Sequence, residues 1–256
     1  MKSEFGLPAP LLQRTLRQGR HETVTMLRNG EQLTLAVVLP LLALIALVVT
    51  PLLDDFTVAG VERSRIDIAT PGILALCAMS TAFTGQGIAT GFDRRYGVLR
   101  FMSTTPLGRT GLITGKVLAV LAVLVIQVAV ISSVAALLGW QPHPAGLLLG
   151  IPLLTLGALS FTSIGLLIAG TARPEATLAL ANLLWILFGA LGGIVIPSDR
   201  LPSLMRDIVH LLPSGGLGDA MRAAMLQGVV DWWGVCVLIV WAALATAGAV
   251  KWFKWS

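Results

Sequence analysis

Six long runs of apolar residues, almost free of charge, constrain this sequence more than any other feature. A transmembrane helix needs about 20 consecutive apolar residues to cross a hydrocarbon core of about 30 Å. Lipid offers no hydrogen-bond partners, so each run is expected to satisfy its backbone groups internally as a helix rather than as a barrel strand. Charged residues make up 12% of the 256 positions, against roughly 25% in a soluble domain. The sequence therefore predicts an all-α integral membrane protein with six transmembrane helices, over residues 33–53, 71–91, 112–139, 145–170, 177–196 and 232–250.

The segment that precedes the first run is too polar to cross the membrane. At about 100° per residue, its apolar side chains gather on one half of the helical wheel and its basic side chains on the other. The side chains that define the two faces include Leu16 and Leu27 on the apolar side and Arg14, Arg17 and Arg20 on the basic side. A basic amphipathic helix of this kind lies along the inner leaflet of a membrane. The alternative is a frayed cytoplasmic tail.

The distribution of Lys and Arg between the two sides of the six runs predicts the orientation of the protein. Thirteen of the 18 Lys and Arg residues fall on the same side as the first segment. Cytoplasmic loops of membrane proteins carry an excess of these residues. We therefore predict a multi-pass protein of the cell (plasma or inner) membrane with both termini in the cytoplasm. Its two parts are a cytoplasmic amphipathic helix in 1–32 and a six-helix transmembrane domain in 33–256.

The connection between the last two runs, residues 197–231, is long and partly apolar. Apolar residues recur at helical spacing over 201–211, and a second short apolar helix is predicted over 217–227, after Pro213 and two glycines. Neither helix is long enough to cross a membrane. We predict short outer re-entrant helices before the last span, which lipid tolerates only where protein covers the non-helical backbone.

The connection between the second and third runs, residues 92–111, combines basic, aromatic and hydroxyl side chains. In a helix, Phe92, Tyr96 and Leu99 share one face and Phe101 points elsewhere, so apolar residues surround the basic ones. A solvated loop does not need these aromatic residues, and a helix on lipid separates its two faces. A short cytoplasmic helix that docks into another protein fits best, and a lipid-facing basic loop is the alternative.

The sequence lacks the motifs that identify common enzymes. The segment GRTGLITGKV departs from a phosphate-binding loop, because Thr110 stands at its first glycine position and Val117 follows Lys116. The whole sequence contains no HExxH or GxSxG motif and no intramembrane carboxylate or histidine pair. We therefore predict no catalytic residue, no metal site and no nucleotide site in this chain. In a membrane protein the positive net charge of +5 indicates contact with the lipid bilayer rather than with nucleic acid.

The few polar residues inside the apolar runs allow two interpretations. They could line a route for a substrate, or they could join helices through hydrogen bonds, each of which contributes around 1 kcal/mol or less. The second interpretation is favoured and the first stays open. The candidates for a substrate route are Gln86, Gln127, Ser132 and Asn182.

Two segments carry motifs that resemble a known family. The inner segment DRRYGVLRFMSTTPLGRTGLITGK supplies an acidic residue and Arg, then Gly97, Leu99, a Thr-Pro pair and the Gly115-Lys116 pair. The outer segment GALGGIVIPSDRLPSLMRDIVHLLPSGGLGDAMR supplies a Gly-Gly pair, a Leu-Pro pair and a proline before an Ala/Arg helix. Both resemble permease subunits of ABC transporters of the type-2 exporter class, which include drug-resistance and polysaccharide exporters. The pattern differs at Asp93, where Glu is usual, and at Val98, where Thr is usual.

The resemblance covers nearly the whole chain in segment order and implies a half-transporter without its own enzyme activity. Its expected partners are two copies of an ABC ATPase subunit, which bind ATP and Mg, and a second permease copy or paralogue. The expected activity is ATP-driven export of a hydrophobic or amphipathic substrate, such as a drug, a lipid or a lipid-linked molecule. The residues that the resemblance assigns to the ATPase-coupling helix are Phe92, Arg94, Arg95, Tyr96, Leu99, Arg100 and Phe101, and those assigned to the connecting helix are Arg14, Leu16, Arg17, Arg20 and Leu27.

Two other classes of protein remain as alternatives. An ion-coupled secondary transporter ordinarily places ionisable groups or broken helices near the membrane midplane, often within an internal repeat. Neither a buried carboxylate nor a clear repeat is visible in the sequence. A non-transporting membrane assembly protein would not need a docking insert such as 92–111.

Overall fold

The computed structural model of the protein describes residues 9–54, 57–58 and 61–254. A two-stranded antiparallel hairpin pairs β1 (Thr57–Val58) with β2 (Val61–Glu62). Short 3₁₀ turns lie at Pro51–Leu53 and Ser198–Arg200, and π-helical segments lie at Ser80–Gly85 and Leu187–Leu191. The α-helices are α1 (Leu11–Arg28), α2 (Gly30–Val49), α3 (Arg65–Met79), α4 (Gln86–Arg95), α5 (Val98–Ser103), α6 (Gly108–Leu137), α7 (Pro144–Thr171), α8 (Pro174–Ile186), α9 (Ser203–Val209), α10 (Pro213–Gln227) and α11 (Trp232–Trp252).

Five helical stretches in the described residues are long and apolar enough to cross a membrane. They are Arg65–Arg95, Gly108–Leu137, Pro144–Thr171, Pro174–Leu191 and Trp232–Trp252. A sixth crossing is obtained when α2 is taken together with α1, from which it is bent by 69°. The prediction of an all-α membrane protein is therefore confirmed, with five to six spans.

The second span is longer at both ends than the predicted 71–91. It begins at Arg65, because the Ser64 hydroxyl accepts a hydrogen bond from the Asp67 backbone N–H and so caps the helix. It continues through the π-helical segment and α4 to Arg95. The first residues of the predicted inner loop 92–111 are therefore the last turn of a transmembrane helix.

The second span also forms the centre of the core. Nearly all of α3 is buried, and it packs against α2, α6, α7 and α10. Phe83 of the π-helical segment lies with its ring centroid 6.0 Å from that of Phe188, and Phe161 of α7 lies 6.2 Å from the same ring. At Gly165, a Cβ atom would stand 2.7 Å from the Phe83 carbonyl oxygen. The close approach of α7 to the second span therefore depends on a glycine at this position.

The outer region 197–231 contains the two predicted short helices, α9 and α10. The second begins at Pro213, four residues before the predicted start, because Pro at the first helical position is pre-organised for a helix and lacks an N–H to satisfy. Most of α10 is buried, and it packs against α3, α7 and α11. This cover by protein is the condition under which non-helical backbone is tolerated at membrane depth.

The proposed division into 1–32 and 33–256 stays a prediction. The helix of the first segment, α1, packs along α6. Residues 1–8, which include Lys2 on the predicted cytoplasmic side, lie outside the described residues, and so do the last two residues of the second segment.

The contact between α7 and α10 gives a test of the fold. A Cβ atom at Gly146 would stand 2.3 Å from the Ala224 carbonyl oxygen, whereas a Cβ atom at Gly30 would meet nothing within 4 Å. We expect Gly146→Ala to destabilise the protein by about 1–3 kcal/mol, because the added methyl group pushes α10 away. The thermal midpoint of the detergent-solubilised protein measures this effect. Gly30→Ala is the control and should leave the midpoint unchanged; equal midpoints for the two variants would contradict this packing.

Candidate functional site

The second span turns sharply into a short helix at the end of the bundle that is predicted to face the cytoplasm, which we call the inner end. The span ends at Arg95 with Tyr96 as its C-cap, and Gly97 follows with a φ of 76°, a left-handed conformation that favours glycine. The six-residue helix α5 then starts in a new direction. The prediction that a single helix of the connection carries Phe92, Tyr96, Leu99 and Phe101 is therefore wrong: the chain forms two helices here, because Gly97 ends the first one.

The apolar and aromatic residues of the predicted coupling segment are of two kinds, one buried and three exposed. Leu99 is 0% exposed and packs with Leu107, Leu112 and Phe253. Tyr96 and Phe101 are 74% and 73% exposed. The exposed Phe92 ring stacks on Tyr96 with centroids 6.3 Å apart. Leu99 thus fixes α5 to the bundle, while the three aromatic side chains form an exposed surface, which we call the aromatic surface (Phe92, Tyr96 and Phe101).

The arginines of the same region have different surroundings. Arg94 donates from Nη1 to the carbonyl oxygens of Ala172 at 2.9 Å and Ala169 at 3.4 Å, at the C-terminal end of α7. The last carbonyls of a helix lack intrahelical partners and carry partial negative charge. A guanidinium group there supplies both a hydrogen-bond donor and a positive charge. Arg95 forms an exposed ion pair with Glu175 at 3.4 Å, and Arg100 is exposed. Arg94 is therefore a helix cap within the protein.

The amphipathic helix α1 packs on the inner half of α6 through small residues. Thr15 and Gly19 are its buried positions, and a Cβ atom at Gly115 of α6 would stand 2.7 Å from Gln18 Cγ. Arg14 donates to the Pro106 carbonyl oxygen. The other predicted residues of this helix are exposed, namely Leu16, Leu27, Arg17 and Arg20. The predicted apolar face therefore leaves its leucines free for contact with lipid, and sequence reasoning missed the Thr15 and Gly19 contact.

A buried ion cluster joins three helices at the inner end. Lys116 of α6 is 0% exposed, and its Nζ lies 3.1 Å from Glu22 Oε1 of α1 and 3.6 Å from Asp93 Oδ2 of α4. The Gln86 Oε1 atom also accepts from Lys116 Nζ at 3.4 Å. A lysine is almost never fully buried unless it is paired. We refer to Lys116, Glu22, Asp93 and Gln86 as the Lys116 cluster.

Sequence reasoning did not identify the Lys116 cluster. It counted Lys116 among the basic residues of the inner side, near the start of the predicted run 112–139, and found no buried carboxylate. The third span starts at Gly108 rather than near 112, so Lys116 lies two turns inside it, at about 3.6 residues per turn. The signal available in the sequence was a single Glu22 on the small-residue side of α1, which alone does not indicate a partner.

A groove of about 870 Å³ runs along the side of the bundle between α2, the second span and α8. Of the four predicted route residues, Asn182 lines this groove and the other three do not. Gln86 belongs to the Lys116 cluster, and Ser132 is half-buried on α6. Polar groups are few, so the groove is lined mainly by apolar side chains.

Gln127 acts as a link between helices. Its Oε1 accepts from Thr81 Oγ1 at 3.0 Å, and its Nε2 donates to the Ala36 carbonyl oxygen at 2.7 Å. Both hydrogen bonds connect α6 to helices that border the groove. For Gln127, the interpretation as an interhelical hydrogen-bonding residue therefore fits the structure.

At the outer end, Arg222 occupies a second internal capping position that sequence reasoning missed. It donates to the carbonyl oxygens of Gly193, at 2.9 Å, and Ile194, and it pairs with Asp219 at 3.0 Å. These carbonyls follow the end of the π-helical segment after α8, where the helix no longer satisfies them. Arg222 thus supports the break between α8 and the outer helices.

Two arginines hold the start of the outer connection after α2 in place. Arg65 Nη2 donates to Asp54 Oδ2 at 2.8 Å, and this hydrogen bond keeps the pKa of the Asp54 carboxyl below its usual value. Arg200 donates to the Asp54 backbone carbonyl at 2.6 Å. The start of the outer loop is thereby joined both to the second span and to the region before α9.

No metal site is formed by the part of the chain that the structure describes, where no three His, Cys, Asp or Glu residues are grouped suitably. A helical bundle with five to six spans, a lateral apolar groove and an exposed aromatic surface at its inner end has the architecture of a membrane transport subunit. The family model of the ABC-2 type transporter matches residues 18–226. The chain belongs to this family.

Three proteins are similar to this chain. A transport permease of Bacillus subtilis (strain 168), YvfS, is 24% identical over 65% of this chain and 68% of its own length. Nodulation protein J of Rhizobium leguminosarum bv. viciae is 29% identical over 65% of this chain and 67% of its own length. ABC transporter G family member 20 of Dictyostelium discoideum is 28% identical over 68% of this chain, which corresponds to 24% of that longer protein.

Membership of the family defines the class of the protein. The chain is a multi-pass transport permease of an ABC system, and its family implies partnership with an ABC ATPase subunit. Members of the family are transmembrane subunits and generally not enzymes. The resemblance inferred from the two connecting segments is therefore confirmed.

The Lys116 cluster predicts a large effect of removing its cation. In Lys116→Met, two partly buried carboxylates lose their partner, which we expect to cost less than the about 3–5 kcal/mol of a fully buried pair broken from one side. We expect a strong fall in the thermal midpoint, and partial recovery when Glu22→Gln and Asp93→Asn are added. Lys254→Met, at an exposed lysine, is the control. A Lys116→Met midpoint equal to that of Lys254→Met would show that the cluster does not stabilise the fold.

The helix-capping role of Arg94 can be distinguished experimentally from the exposed position of Arg100. Arg94→Gln should lower the thermal midpoint, because the last carbonyls of α7 lose a charged donor that contributes about 1.5–3 kcal/mol. Arg100→Gln should leave the midpoint unchanged, because Arg100 is exposed. The measurement is the midpoint of each purified variant in the same detergent, and equal midpoints would contradict the capping role of Arg94.

Proposed function

We propose that this chain is the membrane-spanning subunit of an ATP-driven exporter, which moves a hydrophobic or amphipathic substrate outward. The observation that carries the proposal is the aromatic surface at the inner end. Aromatic residues are enriched at protein interfaces, where they supply a large contact area. The separate ATPase subunit docks on this surface.

The surroundings of the aromatic surface support docking. It lies on two helices at the end of the second span, and Leu99 anchors the shorter helix in the core. Arg95 and Arg100 lie beside it, and both are exposed. Exposed charges at the rim of an interface steer and orient a partner more than they add affinity. Arg94 has no direct part in docking, because it caps α7.

The Lys116 cluster is the proposed route from the docking surface into the bundle. Asp93 stands next to Phe92 of the surface, and its partner Lys116 lies on the third span. Glu22 connects the same lysine to α1. Movement of α4 by the ATPase would therefore be transmitted to α6 and α1 together, provided that these contacts differ between two states of the transporter.

The groove between α2, the second span and α8 is the proposed substrate route. Its volume of about 870 Å³ falls in the range of roughly 300–1,000 Å³ that is typical of sites for small molecules. Its apolar lining favours a drug, a lipid or a lipid-linked molecule over a sugar chain. A second permease copy, or a paralogue, would close its open side against α2 and α8.

The aromatic surface and both termini lie on the cytoplasmic side of the cell membrane, in accordance with the positive-inside rule. Two ATPase copies bind ATP and Mg, and this chain binds neither. The exposed basic and apolar residues of α1 contact the inner leaflet.

Copurification tests the docking surface. The tagged chain is expressed in its native host, extracted in mild detergent and compared with Tyr96→Ala, Phe101→Ala and the double variant. We expect an ATPase with Walker motifs to copurify with the wild type and to be lost in the double variant. Leu204→Ala is the matched control, because Leu204 is 75% exposed on the outer helix α9. Equal recovery of the ATPase with the double variant and with the control would refute the assigned surface.

The energy source and direction require a transport measurement. In inverted membrane vesicles, export appears as ATP-dependent uptake of an amphipathic dye. Uptake that persists after ATP depletion but stops with an uncoupler would instead identify an ion-coupled secondary transporter. Absence of uptake with an intact ATPase complex would favour a non-transporting assembly protein.

A further inference from the structure

The groove carries more information about its substrate than its apolar lining alone. Glu31 is the one ionisable side chain among the described residues that line it. The basic residues of α1 do not line the groove, and neither do the charged members of the Lys116 cluster. From this arrangement we infer that the groove selects amphipathic cations, whose charge pairs with Glu31. This inference rests on the proposed function of the groove as the substrate route.

The position of Glu31 suits a charged end group. It is exposed at the start of α2, and in the part of the chain that the structure describes it forms no ion pair or side-chain hydrogen bond. Phe92, near the end of α4, lines the same groove. Because α2 and the second span are consecutive and antiparallel, both residues lie at the inner end. A carboxylate and an aromatic ring together favour a cation, through charge pairing and cation–π attraction.

The rest of the groove suits an apolar body. Leu35, Leu39, Pro40 and Ala43 continue along α2 away from Glu31. Ala43 lies about 18 Å from Glu31 along the helix axis, at about 1.5 Å per residue. A molecule with one cationic end and an apolar body of this length would place its charge at the inner mouth and its body against the helices.

Two polar groups deeper in the groove bear on whether an anionic substrate could bind there instead of a cation. Trp185 Nε1 already donates to Ser80 Oγ at 2.7 Å, which fixes the indole ring. Thr84 Oγ1 is buried and has no hydrogen-bond partner among the described residues. These groups are neutral, so nothing in the described lining offers a positive charge to an anionic substrate.

A structural role for Glu31 must be distinguished from a role in binding a cationic substrate. An acidic residue in the first turn of a helix interacts favourably with the helix dipole, and Glu31 is in the first turn of α2. That interaction would explain the residue without any ligand. The test therefore needs both a binding and a stability measurement, and a variant that keeps the charge.

The experiment uses tetraphenylphosphonium and tetraphenylborate, which match in size and shape and differ in charge. Binding of each is measured to the full complex of permease and ATPase in phosphatidylcholine nanodiscs, after subtraction of empty nanodiscs. The variants are Glu31→Gln, Glu31→Asp and, as control, Asp207→Asn at an exposed acid of α9. We expect Glu31→Gln to weaken tetraphenylphosphonium binding about fivefold, as the loss of an ion pair of about 1 kcal/mol predicts. Glu31→Asp and Asp207→Asn should bind it as the wild type does, with unchanged thermal midpoints throughout.

Three results would overturn the inference. The first is equal tetraphenylphosphonium affinity for wild type and Glu31→Gln. The second is an equal loss of binding for both ions in Glu31→Gln together with a lower midpoint, which would assign Glu31 to the start of α2. The third is no binding of either ion to the wild type, as expected if a second copy fills the groove. Failure of the proposed function is distinguished by ATP-driven dye uptake in vesicles that carry the wild-type complex, because absence of uptake there would refute the proposed function whatever the binding results are.

Discussion

Every backbone N–H and C=O group at membrane depth needs a partner from the protein, because lipid supplies none. Continuous helices meet this requirement internally, but this bundle contains helix ends and a break that do not. Arginine supplies the missing donors. Arg94 bonds to the last carbonyls of α7, Arg109 bonds to Val250 at the end of α11, and Arg222 bonds to Gly193 and Ile194 after α8. The basic residues thus hold the ends of the helices in place.

This use of arginine changes the interpretation of the inner connection. The sequence shows a dense group of basic residues, and the whole group could serve a partner. The structure divides it, because Arg94 and Arg109 are committed to carbonyls inside the protein, whereas Arg95 and Arg100 are exposed. Leu99 of α5 is buried, whereas Tyr96 before the Gly97 turn and Phe101 after it are both exposed. The aromatic side chains stay exposed, while Leu99 packs α5 against the bundle.

The same end of the bundle also contains the Lys116 cluster. A buried lysine with two carboxylates is costly to desolvate and is stabilising only while all its partners stay in contact. The cluster therefore ties α1, α4 and α6 into one unit at the point where the aromatic surface begins. Phe92 of the aromatic surface also lines the groove, so the end of the second span borders both the aromatic surface and the proposed substrate route.

The sequence by itself determined the class of the protein, because uninterrupted apolar runs of this length have no stable alternative to membrane helices. It also determined the presence of two short outer helices, since helical spacing and turn residues are local signals. It placed the start of the second span six residues too late, because a Ser64 cap allows polar residues into a transmembrane helix. Only the tertiary structure decided that Lys116 meets Glu22 and Asp93, that Arg94 is a cap, that Leu99 is buried and that Asn182 alone of the four route residues faces the groove. These facts depend on contacts between residues far apart in the chain, and periodicity along one helix carries no information about which neighbour that helix meets.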